Sequence, residues 1–156
     1  MKHQSKEALM EWVKKHPIPN ALCVTLTEKQ FTNGIQLDEI RSDQNFRHFL
    51  NIINRKVYKS AFTRFKRSLN IITVKEVSST GRHHRHCMLE KPKHISFEDF
   101  SDLIQHCWTS TDFGYEHIHI IEPYHEDGWY SYIFKTRTKT DFLTSIDWNN
   151  TYVPNH

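Results

Sequence analysis

The sequence is poor in cysteine and has no long apolar run, and both absences narrow the class of protein. The three cysteines, Cys23, Cys87 and Cys107, are odd in number, lie far apart and form no CxxC pair. They predict neither a disulfide framework nor a zinc knuckle, so a reducing, cytoplasmic location is the default expectation. No apolar run approaches the roughly 20 residues that a membrane helix needs, and the charged N-terminal segment lacks the apolar core of a signal peptide. We therefore expect no association with a membrane.

The chain also lacks internal repeats, low-complexity tracts and any stretch that reads as a linker between domains. Its 156 residues, 37% of them hydrophobic and 13% aromatic, suit one domain with a packed core. We predict a single domain over residues 1–156, in which residues 1–19 form a helix and linker and residues 20–154 form the core. The net charge of +3 is mild, but the positive residues are clustered and there are 12 histidines.

Apolar spacing and turn residues predict an α+β fold. Helices are expected at 5–15, 38–69, 96–108 and 130–139, with Ser96 as the cap of the third. A break in the second helix near Ser42-Asp43 is the alternative to one continuous helix. Strands are expected at 21–27, 70–77, 83–90 and 115–121. Asn33-Gly34 closes a loop after the first strand, and the second and third strands form a hairpin. An antiparallel sheet of four to five strands flanked by helices is the simplest arrangement of these elements.

A pair of histidines stands out on the third predicted strand. Alternate residues of a strand share a face, so His84 and His86 can hold one divalent metal ion. Imidazole suits manganese, zinc and several other divalent ions, so two histidines alone do not name the metal; Mn²⁺ and Mg²⁺ are the ions that we consider. The simpler interpretation is that His84 and His86 are ordinary surface or core histidines that bind no metal. Glu76, just ahead of the hairpin turn, can meet His84 across the sheet as a third ligand. The alternative for Glu76 is a solvated glutamate paired with Lys75 or Arg82.

A second pair with the same spacing, His117 and His119, lies on the fourth predicted strand. Spacing alone does not exclude this pair as the metal ligands.

Tyr132 and Lys135 lie three residues apart on the last predicted helix and therefore point the same way. A phenol needs a nearby cation or metal to ionise at neutral pH, so this pair suits attack of a tyrosine on a DNA phosphodiester. Tyr130 competes for the role but lies about 200° away around the helix. Either tyrosine can instead be part of an apolar helix face.

Basic residues cluster between the second helix and the third strand, with aromatic residues among them. This pattern suits a groove that follows a nucleic-acid backbone and stacks bases, although a solvated helix face gives the same pattern. The candidate DNA-binding residues are Arg55, Lys56, Lys59, Arg64, Lys66, Arg67, Arg82 and Arg85.

Taken in order, three motifs resemble those of the HUH endonucleases, in particular the small rolling-circle replication initiators of bacterial plasmids and phages. The motifs are VTLTEKQ (Val24–Gln30), RHHRHCMLEKP (Arg82–Pro92) and GWYSYIFK (Gly128–Lys135), and the tail SIDWNNTYVP (Ser145–Pro154) also resembles the end of such initiators. The resemblance extends over nearly all of the chain from residue 20 onward. It departs from the family pattern at Arg85, where a hydrophobic residue is usual, which bears on the packing of the inner face and not on the ligands.

The resemblance implies an RRM-like sheet, metal ligation by His84 and His86 with Glu76, and a nucleophile at Tyr132 assisted by Lys135. It implies nicking and joining of single-stranded DNA at a replication origin hairpin or nick site, through a 5′-phosphotyrosine. It further implies that a host helicase and polymerase act as partners, since the chain has no helicase region. A single-strand DNA transposase of the same chemistry is the alternative enzyme, and a non-catalytic nucleic-acid-binding module is the alternative of a different class.

Overall fold

The computed structural model describes residues 6–77, 81–122 and 146–153. The predicted helices at 5–15 and 96–108 and all four predicted strands are confirmed to within one residue at each end. The helix predicted at 130–139 lies outside the described residues. The helices are α1 (Lys6–Lys15), α2 (Glu39–Tyr58), α3 (Ser60–Phe65) and α4 (Phe97–Thr109), and the strands are β1 (Ala21–Glu28), β2 (Phe31–Thr32), β3 (Ile35–Gln36), β4 (Ile71–Val77), β5 (His83–Glu90) and β6 (Gly114–Ile121).

Four strands form one antiparallel sheet in the order β4-β5-β1-β6, which confirms the predicted α+β class and the predicted pairing of β4 with β5. The strands β2 and β3 form a separate small hairpin that we did not predict. Its two-residue turn is Asn33-Gly34, with φ values of 51° and 75°. Two successive positive φ values favour asparagine followed by glycine, which explains why this dipeptide closes the loop.

The sheet has two faces that differ in what covers them. The inner face packs against α2 and α4 through the main core, which includes Leu26, Phe46, Phe49, Leu89 and Trp108. On the outer face, a second core covers only part of the sheet, and its buried members are Val13, Ile18, Cys23, Ile72, Val74, Met88 and Ile146. The remainder of the outer face carries polar side chains.

The break that we expected near Ser42-Asp43 is wrong, because α2 runs without interruption to Tyr58. Serine and aspartate favour helix ends when their side chains bond the local backbone. Here Ser42 Oγ donates to the Glu28 carboxylate at 2.7 Å, and Asp43 pairs with Arg85 at 2.7 Å. The helix ends instead at Lys59, whose φ of 52° and ψ of −128° are incompatible with a further helical turn.

The segment Ile146–Val153 lies along the edge of the sheet that β4 would otherwise leave open. Backbone hydrogen bonds join Ile71 N to Tyr152 O at 2.6 Å and Tyr152 N to Ile71 O at 2.8 Å, and Asp147 N donates to Thr73 O at 3.1 Å. The segment thus protects part of this edge from pairing with another chain. Within residues 6–77, 81–122 and 146–153, no helix is both long and apolar enough to span a membrane.

Candidate metal and DNA-binding site

His84 and His86 lie on β5, on the outer face of the sheet, next to the second core. The alternation along β5 is consistent: Arg85 and Cys87 are buried towards the helices, whereas His84 and His86 are half-buried on the other side. The strand therefore places both imidazoles on one face, as the spacing predicted.

Two threonines of β1 lie beside these imidazoles. Thr25 pairs with His86 and Thr27 with His84 in the strand register. Their hydroxyl oxygens lie 3.2 Å and 3.4 Å from the Nδ1 atoms of the respective histidines. A hydroxyl that accepts the Nδ1 proton orients the ring and leaves Nε2 as the nitrogen able to bind a metal. We did not single out these threonines from the sequence, although their alternation in VTLTE was a usable signal.

Glu76 lies opposite His84 in the register of β4 and β5, as predicted. Its carboxylate reaches diagonally to the next histidine, with Oε2 at 3.6 Å from His86 Nε2. Two donor atoms each about 2.1 Å from one ion at a tetrahedral angle are about 3.4 Å apart, so this nitrogen and oxygen fit a shared divalent ion. Lys75, one alternative partner for Glu76, instead binds Glu39 at 2.9 Å and Asp43 at 3.2 Å.

In the part of the chain that the structure describes, no three histidine, cysteine, aspartate or glutamate side chains converge closely enough to hold a metal ion. The described arrangement is thus a His86–Glu76 pair with His84 next to it on the same strand. Imidazole nitrogen and carboxylate oxygen together suit Mn²⁺ and other divalent ions.

The alternative pair, His117 and His119, lies on the same outer face, on the edge strand β6. Thr25 pairs with His86 on one side and with His119 on the other, so β1 separates the two histidine pairs. Both histidines of β6 are exposed. The fold thus brings the two pairs onto one surface.

Tyr132, Lys135 and the competing Tyr130 lie outside the described residues. Ile121, near the end of one described range, and Ile146, at the start of the next, both pack on the second core, on the outer face that carries the histidines.

Arg85 lies between the two histidines in sequence but on the opposite face of the sheet. It is fully buried, and its guanidinium contacts Asp43 at 2.7 Å, Asp147 at 2.8 Å and Glu28 at 3.4 Å. It also lies 4.7 Å from the ring centre of Phe46. The DNA contact that we expected for Arg85 does not fit this position, because its guanidinium is enclosed by carboxylates beneath the helices.

The pKa values of Glu28 and Asp147, two of the carboxyls around Arg85, shift in opposite directions. Burial raises the pKa of the Glu28 carboxyl, and the attraction of Arg85 opposes that rise only in part. Burial also acts to raise the pKa of Asp147, but hydrogen bonds from Arg85 and Asn150 outweigh it, so this pKa lies below its usual value. Arg85 and Asn150 therefore favour the charged form of Asp147.

The other DNA-binding candidates fall into two groups. Arg82 lies at the start of β5, two residues before His84. The second group comprises the exposed basic residues of α2, α3 and the following loop, and it lies far from the histidines. Glu39, at the start of α2, contacts Lys75, the neighbour of Glu76 on β4. Arg55 is about 24 Å further along the axis of this helix. Leu69 N, at the base of β4, donates to Asn54 at 2.7 Å, which places this end of α2 far from Glu76. The remote group is Arg55, Lys56, Lys59, Arg64, Lys66 and Arg67.

No protein-family model matches this chain, and neither a curated protein nor a solved structure is significantly similar to it. The site itself consists of two histidines and a glutamate on a polar sheet face, with a threonine hydroxyl beside the Nδ1 atom of each imidazole.

Proposed function

We propose that this protein nicks and joins single-stranded DNA through a transient 5′-phosphotyrosine at Tyr132, with a divalent ion held by His84, His86 and Glu76. The observation that carries the proposal is the outer-face arrangement, in which Glu76 Oε2 lies 3.6 Å from His86 Nε2 and each Nδ1 lies beside a threonine hydroxyl. Its further support is the motif resemblance.

The chemistry balances without a further reactant. The phenolate oxygen of Tyr132 bonds to the scissile phosphorus, the bond from phosphorus to the 3′ oxygen breaks, and that oxygen takes up a proton. Lys135 stabilises the phenolate by its positive charge. A divalent ion, when bound, supplies positive charge to a non-bridging phosphate oxygen. Because the phosphotyrosine conserves the phosphodiester energy, a later 3′-hydroxyl reverses the step and seals the strand.

In this proposal the DNA is a replication origin, presented as a hairpin or nick site, and nicking initiates rolling-circle replication with a host helicase and polymerase. The decisive experiment incubates the purified chain with circular single-stranded DNA and with an oligonucleotide pool of randomised sequence, with and without Mn²⁺. We expect a covalent protein-DNA adduct that requires the metal. Metal-independent DNA binding without an adduct would favour the binding module, and strand exchange between two cleaved ends within a dimer would favour the transposase.

We predict that His84→Ala or His86→Ala lowers the nicking rate on saturating DNA by roughly 100-fold or more, because each change removes a metal ligand. Glu76→Ala is expected to have an intermediate effect, since both imidazoles remain. Calorimetric titration with Mn²⁺ checks ligand loss separately from activity.

The matched control is the double change His117→Ala with His119→Ala, which removes two imidazoles from the same face. It should retain most of the nicking on saturating DNA and most of the Mn²⁺ affinity. Loss of Mn²⁺ binding in this control, with normal binding in His84→Ala, would assign the metal to β6 instead.

The remote basic residues give a separate prediction. Replacing Lys59, Arg64 and Lys66 with alanine should weaken binding to all single-stranded sequences and reduce the slope of log affinity against log salt by about 2, since each phosphate contact contributes about 0.7. Binding measured over a salt series checks this. Lys15 and Lys93, both exposed and outside this group, are the control pair, and an unchanged slope in the triple variant would make the cluster a solvated surface.

A further inference from the structure

A row of three planar side chains extends the candidate site towards the edge of the sheet. The Arg82 guanidinium lies 5.4 Å from the ring centre of Tyr115, and the Tyr115 and His117 ring centres are 5.1 Å apart. Strand β1 ends at Glu28, which pairs with Gly114, so Tyr115 lies beside the last residues of β1 and the Arg82 side chain reaches its ring across that end of the strand. We call Arg82, Tyr115 and His117 the edge stack.

The start of β6 is held in place by a close backbone approach. A Cβ atom on Gly114 would lie 1.8 Å from the Trp108 carbonyl oxygen, so only glycine fits there. Trp108 is itself buried and donates to Thr27 O at 3.0 Å. Tyr115, the next residue after Gly114, therefore projects from a rigid part of the fold, which limits the entropy lost when a ligand packs on its ring.

The edge stack adjoins the candidate metal residues. Arg82 directly precedes β5 and lies two residues before His84, which pairs with Thr27. Along the next row, His86, Thr25 and His119 lie side by side on three neighbouring strands, a span of about 10 Å. A single strand that has its reacting phosphate at His84 and His86 and crosses β1 towards β6 would bring its next one or two nucleotides to the edge stack.

The chemistry of the edge stack matches nucleobases. Guanidinium, phenol and imidazole all present flat π faces, and single-stranded nucleic acids bind by stacking successive bases on such groups. His117 is exposed, and it lies on the edge strand where a base has access from the side. A protein strand that paired with this edge would use the backbone of β6 and would not need the rings.

We propose that the edge stack of Arg82, Tyr115 and His117 binds nucleobases of the single strand next to the phosphate that the histidine site cleaves. This inference rests on the proposed function and adds the surface that positions the substrate. Stacking tolerates any base, so the edge stack contributes affinity for single strands irrespective of sequence.

The test measures binding without cleavage, in the presence of EDTA. The probe is an oligothymidylate of about 16 nucleotides with one fluorescent 2-aminopurine, whose emission falls on stacking. We expect Tyr115→Ser to weaken binding roughly 10-fold and to abolish the quenching, whereas Tyr115→Phe keeps both within about 2-fold because the ring remains. With Mn²⁺ present, Tyr115→Ser should raise KM and leave kcat on saturating DNA unchanged.

Two controls separate this proposal from folding effects and from the proposed function. Tyr152→Ser removes another part-exposed tyrosine, 49% exposed, and should leave the quenching unchanged. Arg82→Met tests the stack without altering β6. Normal affinity and quenching in both Tyr115→Ser and Arg82→Met would overturn the edge stack even if the wild type nicks DNA. Quenching that depends on Tyr115 in a protein that never forms an adduct would support the edge stack and overturn the proposed nickase.

Discussion

Replacing Tyr132 with phenylalanine is expected to abolish DNA cleavage, with no covalent adduct at any metal concentration. The change deletes only the phenolic oxygen that attacks phosphorus and keeps the aromatic ring. Affinity for single-stranded DNA should therefore stay within about 2-fold of the wild type. Denaturing gel electrophoresis of labelled oligonucleotides measures the adduct, and mass spectrometry of the digested wild-type adduct identifies the modified peptide.

The matched control is Tyr130→Phe, which removes the same oxygen two residues earlier. On the predicted helix, Tyr132 shares a face with Lys135, whereas Tyr130 lies about 200° away. Tyr130→Phe should therefore cleave normally. If Tyr130→Phe were inactive and Tyr132→Phe active, the helical-face argument would be wrong and the nucleophile would be Tyr130.

The largest stability effect is expected at Arg85. Replacing Arg85 with methionine keeps much of its volume but leaves Glu28, fully buried, and Asp147, with 3% of its side chain exposed, without their cation. Breaking a buried ion pair from one side costs about 3–5 kcal/mol, a large part of the roughly 5–15 kcal/mol that stabilises a domain. Chemical denaturation followed by circular dichroism should show this loss in the free energy of unfolding.

Arg82→Met is the control for this change, since Arg82 is half-buried on the other side of the strand. Its effect on the free energy of unfolding should stay within about 1 kcal/mol. Adding Glu28→Gln and Asp147→Asn to Arg85→Met should recover part of the lost stability, because the two buried carboxyls are then neutral and need no cation. A stability of Arg85→Met equal to that of the wild type would contradict the ion-pair network.

The pKa of Glu28 gives this network a pH dependence with a definite sign. Its pKa is raised in the folded state by burial, so the folded protein binds the proton more tightly than the unfolded chain does. The stability that this proton contributes is present below the pKa of Glu28 in the unfolded chain. It is lost as the pH rises through the pKa of Glu28 in the folded protein. Compared with the wild type, Glu28→Gln should therefore gain in relative stability as the pH rises through this range.

Local sequence pattern predicted the structure correctly where the deciding interactions lie within one helix or strand. Ser96 caps α4 as predicted, with its Oγ accepting from Asp99 N at 3.1 Å, because a cap involves only neighbouring residues. Ser42 and Asp43 show the opposite case. Their local preference favours a break, but Glu28 and Arg85 bind their side chains, and contacts between distant residues outweigh propensity.

The sequence by itself determined that His84 and His86 share a face, since a strand repeats every two residues in any sheet. It also determined that Arg85 faces the other way. Only the tertiary structure decided which groups meet each face: Glu76 approaches His86 diagonally, Tyr115 reaches Arg82 from another strand, and Asp147, 62 residues away, binds Arg85. Such contacts depend on strand register and on helix packing, which arise from the free energy of the whole fold and not from any local period.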